Sequence, residues 1–177
     1  MFQPGDLIFH PKNGFGTIRG VTRRDPLNPI LAVGTGAGGA DLAQDYYDIQ
    51  LLAGGTLHVP VSRAERVGLR ILTNGVDAIT ICLRSPPQSL PTDARQRAAE
   101  LWSRSQTGDP AALTASVRDM VVQSRGRTLS DSERVWLDKA RERLITEAAL
   151  VDHISKAQAR DAIWEVVQKL SASKISI

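Results

Sequence analysis

The chain is poor in the residues from which catalytic and metal-binding sites are built. Among its 177 residues are one cysteine, Cys82, and three histidines, His10, His58 and His153. A single cysteine excludes an intrachain disulfide framework and fits a reducing compartment. No Cys or carboxylate cluster lies at metal-ligand spacing from the histidines, and the motifs Gly-x-Ser-x-Gly and HExxH are absent. We therefore expect a protein that is not an enzyme and that binds no metal and no cofactor.

The sequence also lacks long apolar runs and heptad repeats. No run approaches the length that spans a membrane. The chain begins directly with the turn Pro4-Gly5-Asp6 instead of a charged and then apolar leader. These absences predict a cytoplasmic protein without a membrane segment. Since no coiled-coil heptads are present, a monomer is the default expectation.

A glycine-rich stretch at residues 34–39 spells GxGxxG after an apolar run. In a dinucleotide-binding fold this motif opens a helix, and an acidic residue follows roughly 20 residues later at the end of the next strand. Here only residues 40–44 precede the next strand, and residues 51–60 contain no Asp or Glu. We therefore favour the interpretation that residues 25–44 form a flexible loop. The alternative is an enzyme in which these glycines bind a nucleotide. A P-loop is excluded because GK[ST] is absent.

The pattern of apolar residues changes near residue 72. Before it, short apolar runs alternate with Gly and Pro, which predicts strands over residues 7–10, 15–21, 46–52 and 56–61. After it, helical periodicity continues almost to the end. Strands followed by helices, without interleaving, indicate an α+β protein. We predict a small antiparallel SH3- or Tudor-like β-barrel over residues 1–72 and a compact all-helical domain over residues 73–177.

Four or five helices are expected in the second domain. The first spans residues 75–83 and ends at Ser85-Pro86-Pro87, and the second opens at Thr92 or Asp93 and runs to Ser105. A capping box, Ser130-Asp131-Ser132-Glu133, precedes the fourth. Trp102, Trp136 and Trp164 lie within helical periodicity, where a core role is the commonest one. The sequence therefore places all three in the core.

Basic residues are concentrated in the helical half of a chain whose formal net charge is +3. Between residues 95 and 127 six arginines accompany only three acidic residues, Glu100, Asp109 and Asp119. Arginine pairs well with phosphate, so this stretch is a candidate nucleic-acid surface. Composition alone favours the simpler interpretation, which is a solvated helix face.

The order of several short motifs resembles that of the CarD/CdnL family of bacterial RNA polymerase-binding regulators. The N-terminal module of that family also occurs in transcription-repair coupling factors. The matching motifs in the first half are Phe2-x-x-Gly5-Asp6, Pro11-x-x-Gly14-x-Gly16, Tyr46-Tyr47, Val59-Pro60 and Val67-Gly68-Leu69-Arg70. Those in the second half are Gly108-Asp109, Val117-Arg118-Asp119-Met120, Leu129-Ser130-x-x-Glu133-Arg134 and Ala140-Arg141-x-x-Leu144. The resemblance covers nearly the whole chain.

For the first domain, the resemblance implies docking on the RNA polymerase β subunit through a strand edge, a β-augmentation mode. Arg24, at the end of the second strand, matches a family contact position, and Arg23 and His58 are the other implied polymerase-binding residues. His58 lies where relatives can carry Arg, so part of the contact is expected to be weaker or pH-sensitive.

For the helical domain, the resemblance implies contact with promoter DNA at the upstream edge of the melted region, which would modulate the stability of the open complex. The implied DNA-binding residues are Arg95, Arg97, Arg104 and Arg118. Relatives place a minor-groove wedge Trp early in the second helix, where an ungapped match puts Ala94 in this chain. Trp102 comes eight residues later and is expected in the core. An alternative remains, a polymerase-binding interaction module that lacks the wedge and acts without productive DNA contact.

Overall fold

The computed structural model describes residues 1–24, 43–106 and 108–172. The chain forms two compact units, Met1–Ile71 and Leu72–Ile177. The first contains five strands and a short 3-10 helix, Val61–Arg63, and the second contains five helices within its described residues. The predicted α+β class, with a small Tudor-like β domain followed by a helical domain, is confirmed.

One antiparallel sheet makes up most of the first unit. Its strands are β1 (Leu7–His10), β2 (Gly14–Arg24), β3 (Gln44–Leu51), β4 (Thr56–Pro60) and β5 (Arg70–Ile71). They lie in the order β4-β3-β2-β1-β5, so β4 and β5 are the edge strands. The register of β2 against β3 shifts between Ile18 and Gly20, which marks a β-bulge.

The apolar face of this sheet forms a small core. Its buried members are Ile8, Ile18, Tyr47, Ile49, Val59, Ala64 and Leu69. Gly16 is needed here because a Cβ would lie 2.8 Å from the Gln50 carbonyl oxygen on β3. The four strands that we predicted are present, and β2 runs further than expected, to Arg24. The predicted loop, with its GxGxxG stretch, lies outside the described residues up to position 42, and β3 already begins at Gln44.

The second unit is helical throughout. Its helices are α1 (Val76–Arg84), α2 (Ala94–Gln106), α3 (Pro110–Gln123), α4 (Asp131–Val151) and α5 (Lys156–Ala172). The expected starts are confirmed at α2 and α4. The carboxylate of Asp93 accepts from the Arg95 and Gln96 amides at 3.0 and 2.9 Å. Ser130 and Glu133 form the complete capping box of α4.

One continuous apolar core joins all five helices. Its fully buried side chains include Ile79 of α1, Val117 and Met120 of α3 and Leu144 of α4. Residues of α5 complete it, and Ala159 and Val167 are the most deeply buried of these. None of the helices in the described ranges is both long and apolar enough to cross a membrane.

The tryptophans do not all join this core, contrary to the sequence prediction. Trp136 packs against it and donates its indole N–H to Ser105 Oγ at 3.1 Å. Trp102 is 64% exposed and Trp164 is 41% exposed. The prediction of a core position was therefore wrong for Trp102 and Trp164. The buried residues of α2 are Arg97 and Leu101, with Arg104 half-buried on the same side, so Trp102 faces outward.

Candidate functional site

Two of the three residues predicted to bind polymerase meet at one carboxylate on the sheet. Asp48 of β3 lies directly opposite His58 of β4 in the strand register. The ring atom His58 Nδ1 lies 2.6 Å from Asp48 Oδ1, and Arg24 Nη2 lies 3.1 Å from the same oxygen. Thr22 donates its hydroxyl to Asp48 Oδ2 at 2.9 Å. We call Thr22, Arg24, Asp48 and His58 the Asp48 cluster.

The contacts of His58 define its hydrogen-bonding roles. Arg24 Nη1 lies 3.1 Å from His58 Nε2, and a guanidinium group can only donate. Nε2 therefore accepts from Arg24, and Nδ1–H donates to Asp48.

The carboxylate of Asp48 is held in its charged form. Partial burial alone would raise its pKa. The hydrogen bonds from Thr22 and His58, with the positive charge of Arg24, outweigh this and leave the pKa of Asp48 below its usual range. The cluster is therefore an organised set of charges that fixes the direction of the Arg24 guanidinium at the β4 side of the sheet.

Arg23 lies apart from this cluster. Successive side chains of a strand point to opposite faces, so Arg23 leaves β2 on the face away from Arg24. Its cross-strand partner position is Asp45. The structure brings Arg24 and His58 together and does not place Arg23 with them.

Sequence reasoning missed Asp48 and Thr22. The signal is present in the β3–β4 hairpin, where the short segment Ala53-Gly54-Gly55 separates the two predicted strands. Gln50 pairs with Thr56 across that turn. Two residues further from the turn on each strand, Asp48 lies opposite His58. Thr22 could not be found in the same way, because residues 25–43 separate β2 from β3, too many for counting across a turn to give their register.

In the helical unit, Arg97 is part of an internal ion-pair network. Its side chain is 5% exposed, and Nε donates to Glu133 Oε1 at 2.7 Å. Its Nη1 donates to the carbonyls of Pro91 and Thr92. Arg127 also pairs with Glu133 at 2.7 Å. The pKa of Glu133 is strongly lowered by the hydrogen bonds from Arg127, with help from the Ser130 amide and Arg97, although burial opposes the shift.

A second internal network is built around Asp119, whose side chain is fully buried. Arg118 contacts its Oδ1 at 2.8 Å, and Arg104 contacts its Oδ2 at 3.1 Å. The Gln88 amide donates to Oδ1 at 2.9 Å, and Arg104 also pairs with Glu100. Asp119 therefore ties α2, α3 and the segment before α2 together.

These contacts correct the expected basic surface. Arg97 and Arg118 are each 4% exposed. Their charges pair with buried carboxylates and do not face phosphate or solvent. Arg104 directs its guanidinium to Asp119 and Glu100. Of the four arginines predicted to bind DNA, Arg95 is the one that lies exposed on its helix. DNA binding by these residues stays a prediction. Among the four, Arg95 is the residue whose exposed position would allow it to contact phosphate.

The outward face of α2 has a distinct composition. Arg95, Ala98 and Ala99 are exposed, and Trp102 follows on the same side of the helix, seven residues after Arg95. Ala94, the residue at the wedge position, is also exposed at the start of α2. We call Ala94, Arg95, Ala98, Ala99 and Trp102 the α2 face. It offers a cation, a small-residue surface and a large aromatic ring to a partner.

Comparison with known proteins matches both units. Residues 2–72 match the family model described as the CarD-like/TRCF RID domain, and residues 78–164 match the model described as the CarD C-terminal domain. A relative from Bacillus subtilis (strain 168), named "Putative transcription factor YdeB", is 24% identical over 163 residues. The match covers 90% of this chain and 98% of that protein.

Proposed function

The chain belongs to the CarD/CdnL family, and on that premise we propose that it regulates transcription by binding the RNA polymerase β subunit and contacting promoter DNA. The first unit would dock on the polymerase. The helical unit would contact DNA near the upstream edge of the melted region and change the lifetime of the open complex. The observation that carries the proposal is the match of both halves of the chain, in order, to the two domains of this family.

The geometry of the first unit supports the docking step. Strand β4 is an edge strand and can accept a further strand by main-chain hydrogen bonding. The Asp48 cluster lies beside that edge, since His58 belongs to β4 and orients Arg24 through Asp48. A partner strand laid on β4 would find an oriented guanidinium at its side, which favours an acidic partner surface.

The docking step is tested by measuring binding of the purified protein to the cognate polymerase β-subunit lobe. We expect Arg24→Glu to weaken binding at least tenfold, because it reverses the charge offered to the partner and repels Asp48. Arg66→Glu is the matched control, since Arg66 is exposed and lies outside the sheet. Equal binding by Arg24→Glu and the control would reject this docking mode.

The α2 face supports the DNA step. Trp102 is 64% exposed on this face, and aromatic or apolar side chains can wedge between base steps in the minor groove. Trp102 lies about 12 Å along the helix axis from Ala94, at 1.5 Å per residue. We therefore place the aromatic contact of this chain at Trp102, with Arg95 as the phosphate contact. A phosphate contact by Arg95 should make the effect on the open complex weaken as the salt concentration rises.

A second candidate is a polymerase-binding interaction module that acts without productive DNA contact. The interior positions of Arg97 and Arg118 favour it, because they leave few cations for phosphate. The substitution Ala94→Trp separates the two functions. If the helical unit lies on DNA, an added ring at the exposed start of α2 should lengthen the life of the open complex. If the unit has no DNA contact, the lifetime should not change.

The remaining parts of the proposal are that the protein acts in the cytoplasm, as a monomer, without catalysing a reaction and without a cofactor. The rival enzyme hypothesis assigns a nucleotide to the glycine-rich stretch. A rise in the unfolding temperature with NAD or ATP would support that rival, because a ligand that binds the native state stabilises it.

A further inference from the structure

A pocket in the helical unit lies outside both proposed surfaces. Residues of α4 and α5 form its walls, together with Leu83 of α1 and Val117 of α3. Its volume is about 240 Å³. The apolar lining residues are Leu83, Val117, Leu144, Ile145, Ile163 and Val167. An apolar cavity of this size can hold the body of a small organic molecule.

One cation in the lining lacks a full set of partners. Arg141 lies with its guanidinium carbon 4.9 Å from the centre of the Trp164 ring. Its Nε is buried and finds no hydrogen-bond partner within the described part of the chain. Burial lowers the pKa of Arg141 from its ordinary value, although the charge of Asp138 opposes this. A donor that is withdrawn from water without an acceptor is costly to leave unpaired.

The other charged groups of the lining are differently placed. Glu142 is held by Lys156 at 2.8 Å and by Arg160 at 3.8 Å, so its charge is compensated at the pocket rim. Asp138 is exposed to solvent, and its charge acts on Arg141 from the same helix. Arg141 is therefore the polar group of the pocket that is best placed to receive an anion, beside an apolar floor.

We propose that this pocket binds a small carboxylate with an apolar body. The carboxylate would accept two hydrogen bonds from the Arg141 guanidinium, which matches its planar geometry. The apolar body would cover the side chains of Ile145, Ile163 and Val167, with the Trp164 ring along one side. A single guanidinium suits a monoanion better than a phosphate dianion, which usually gathers several cations.

The test is a titration of the full-length protein with octanoate, followed by methyl NMR of the isoleucine, leucine and valine side chains. Octanamide serves as the neutral probe of nearly equal shape. We expect saturable shifts at the methyl groups of Ile145, Ile163 and Val167, and an affinity for octanoate about tenfold or more above that for octanamide. Equal affinities, or no saturable shift at these methyl groups, would overturn the proposal.

A variant pair checks the role of Arg141. We expect Arg141→Gln to lose the preference for octanoate over octanamide, because the charge is gone while much of the side-chain length remains. Lys139→Gln is the matched control, since Lys139 is an exposed cation on the same helix outside the lining. If Arg141→Gln kept the preference, a different cation would be responsible and the assignment would fail. The wild-type comparison of the two probes tests the proposal even if that variant is unstable.

Discussion

Glu133 gathers donors from three places in the sequence. Arg97 reaches it from α2, Arg127 from the segment before α4, and the Ser130 amide from the start of α4 itself. Since Arg97 is 4% exposed, this carboxylate is what compensates its buried positive charge. One acidic side chain therefore closes a helix cap and neutralises an interior cation at the same time.

We expect Glu133→Gln to lower the free energy of unfolding by about 3 to 5 kcal/mol, as when one partner is removed from a buried ion pair. The reason is that Gln leaves the Arg97 guanidinium buried without a countercharge. Urea unfolding at neutral pH measures the loss. Asp131→Asn is the control, because Asp131 is fully exposed and its 3.7 Å contact with Arg134 is a surface pair.

The same pair of proteins gives a pH test. The pKa of Glu133 is lower in the folded chain than in the unfolded chain. Its contribution is therefore fully present above the ordinary pKa of glutamate, about 4.3, and is lost as the pH falls toward the folded value. The stability difference between wild type and Glu133→Gln should shrink below about pH 4. A difference that grows on acidification would contradict this assignment.

At the scale of elements, α1 begins without a cap of its own. Gly75, at its N-cap position, has no side chain, and the Val76 amide instead donates to Asp152 Oδ2 at 2.7 Å. Asp152 is the residue that ends α4, 76 positions further along the chain. A Cβ on Gly75 would collide with the Asp152 carboxylate. The absence of a side chain at position 75 thus lets the end of one helix cap the start of another.

We expect Gly75→Ala to destabilise the protein by about 1 kcal/mol, the usual cost of losing an N-cap. Asp152→Ala should cost a similar amount, and the double variant should cost less than the sum, because both changes remove the same hydrogen bond. Thermal unfolding of the full chain measures all three. Gly126→Ala is the control, since that glycine has open space around it and should tolerate a methyl group. Additive losses would show that the two residues act independently.

Elements also show where prediction from the sequence succeeded and where it failed. Caps depend on neighbouring residues, so Asp93 and the Ser130–Glu133 box could be read directly. Strand β5 has only two residues and is defined by its pairing with β1, so no local pattern revealed it. The prediction of which α2 residues are buried was wrong for a related reason. Apolar periodicity assigns Trp102 to the core, but the buried residues of α2 are Arg97 and Leu101, with Arg104 half-buried on the same side.

An arginine can face a core only when an acidic partner meets it there, and those partners lie far along the sequence. Glu133 is 36 positions from Arg97, and Asp119 is 15 positions from Arg104. Counting charges between residues 95 and 127 omits Glu133 altogether. Tertiary pairing, which the sequence does not display, decides which of these arginines stay on the surface and which face of α2, with Trp102, is exposed.

At the scale of the whole molecule, the two units would contribute different steps of one function. Docking through the Asp48 cluster would determine how much protein is bound to polymerase at a given concentration. The α2 face would determine what the bound protein does to the open complex. These roles predict different responses to concentration, because a loss of affinity is overcome by mass action and the loss of a contact made after binding is not.

The prediction concerns the lifetime of the open complex, measured with full-length variants over a range of protein concentrations. Arg24→Glu should shift the half-maximal concentration upward by tenfold or more and leave the effect at saturation close to that of wild type. Trp102→Ala should leave the half-maximal concentration nearly unchanged and reduce the effect at saturation.

Because Trp102 is 64% exposed, its truncation should change the free energy of unfolding by no more than about 0.5 kcal/mol, so misfolding would not explain the loss. Trp164→Ala is the aromatic control, on a different helix and away from the α2 face. If Trp102→Ala matched wild type at saturation, the ring would have no part in the DNA step, and the interaction module without DNA contact would be the better account of this chain.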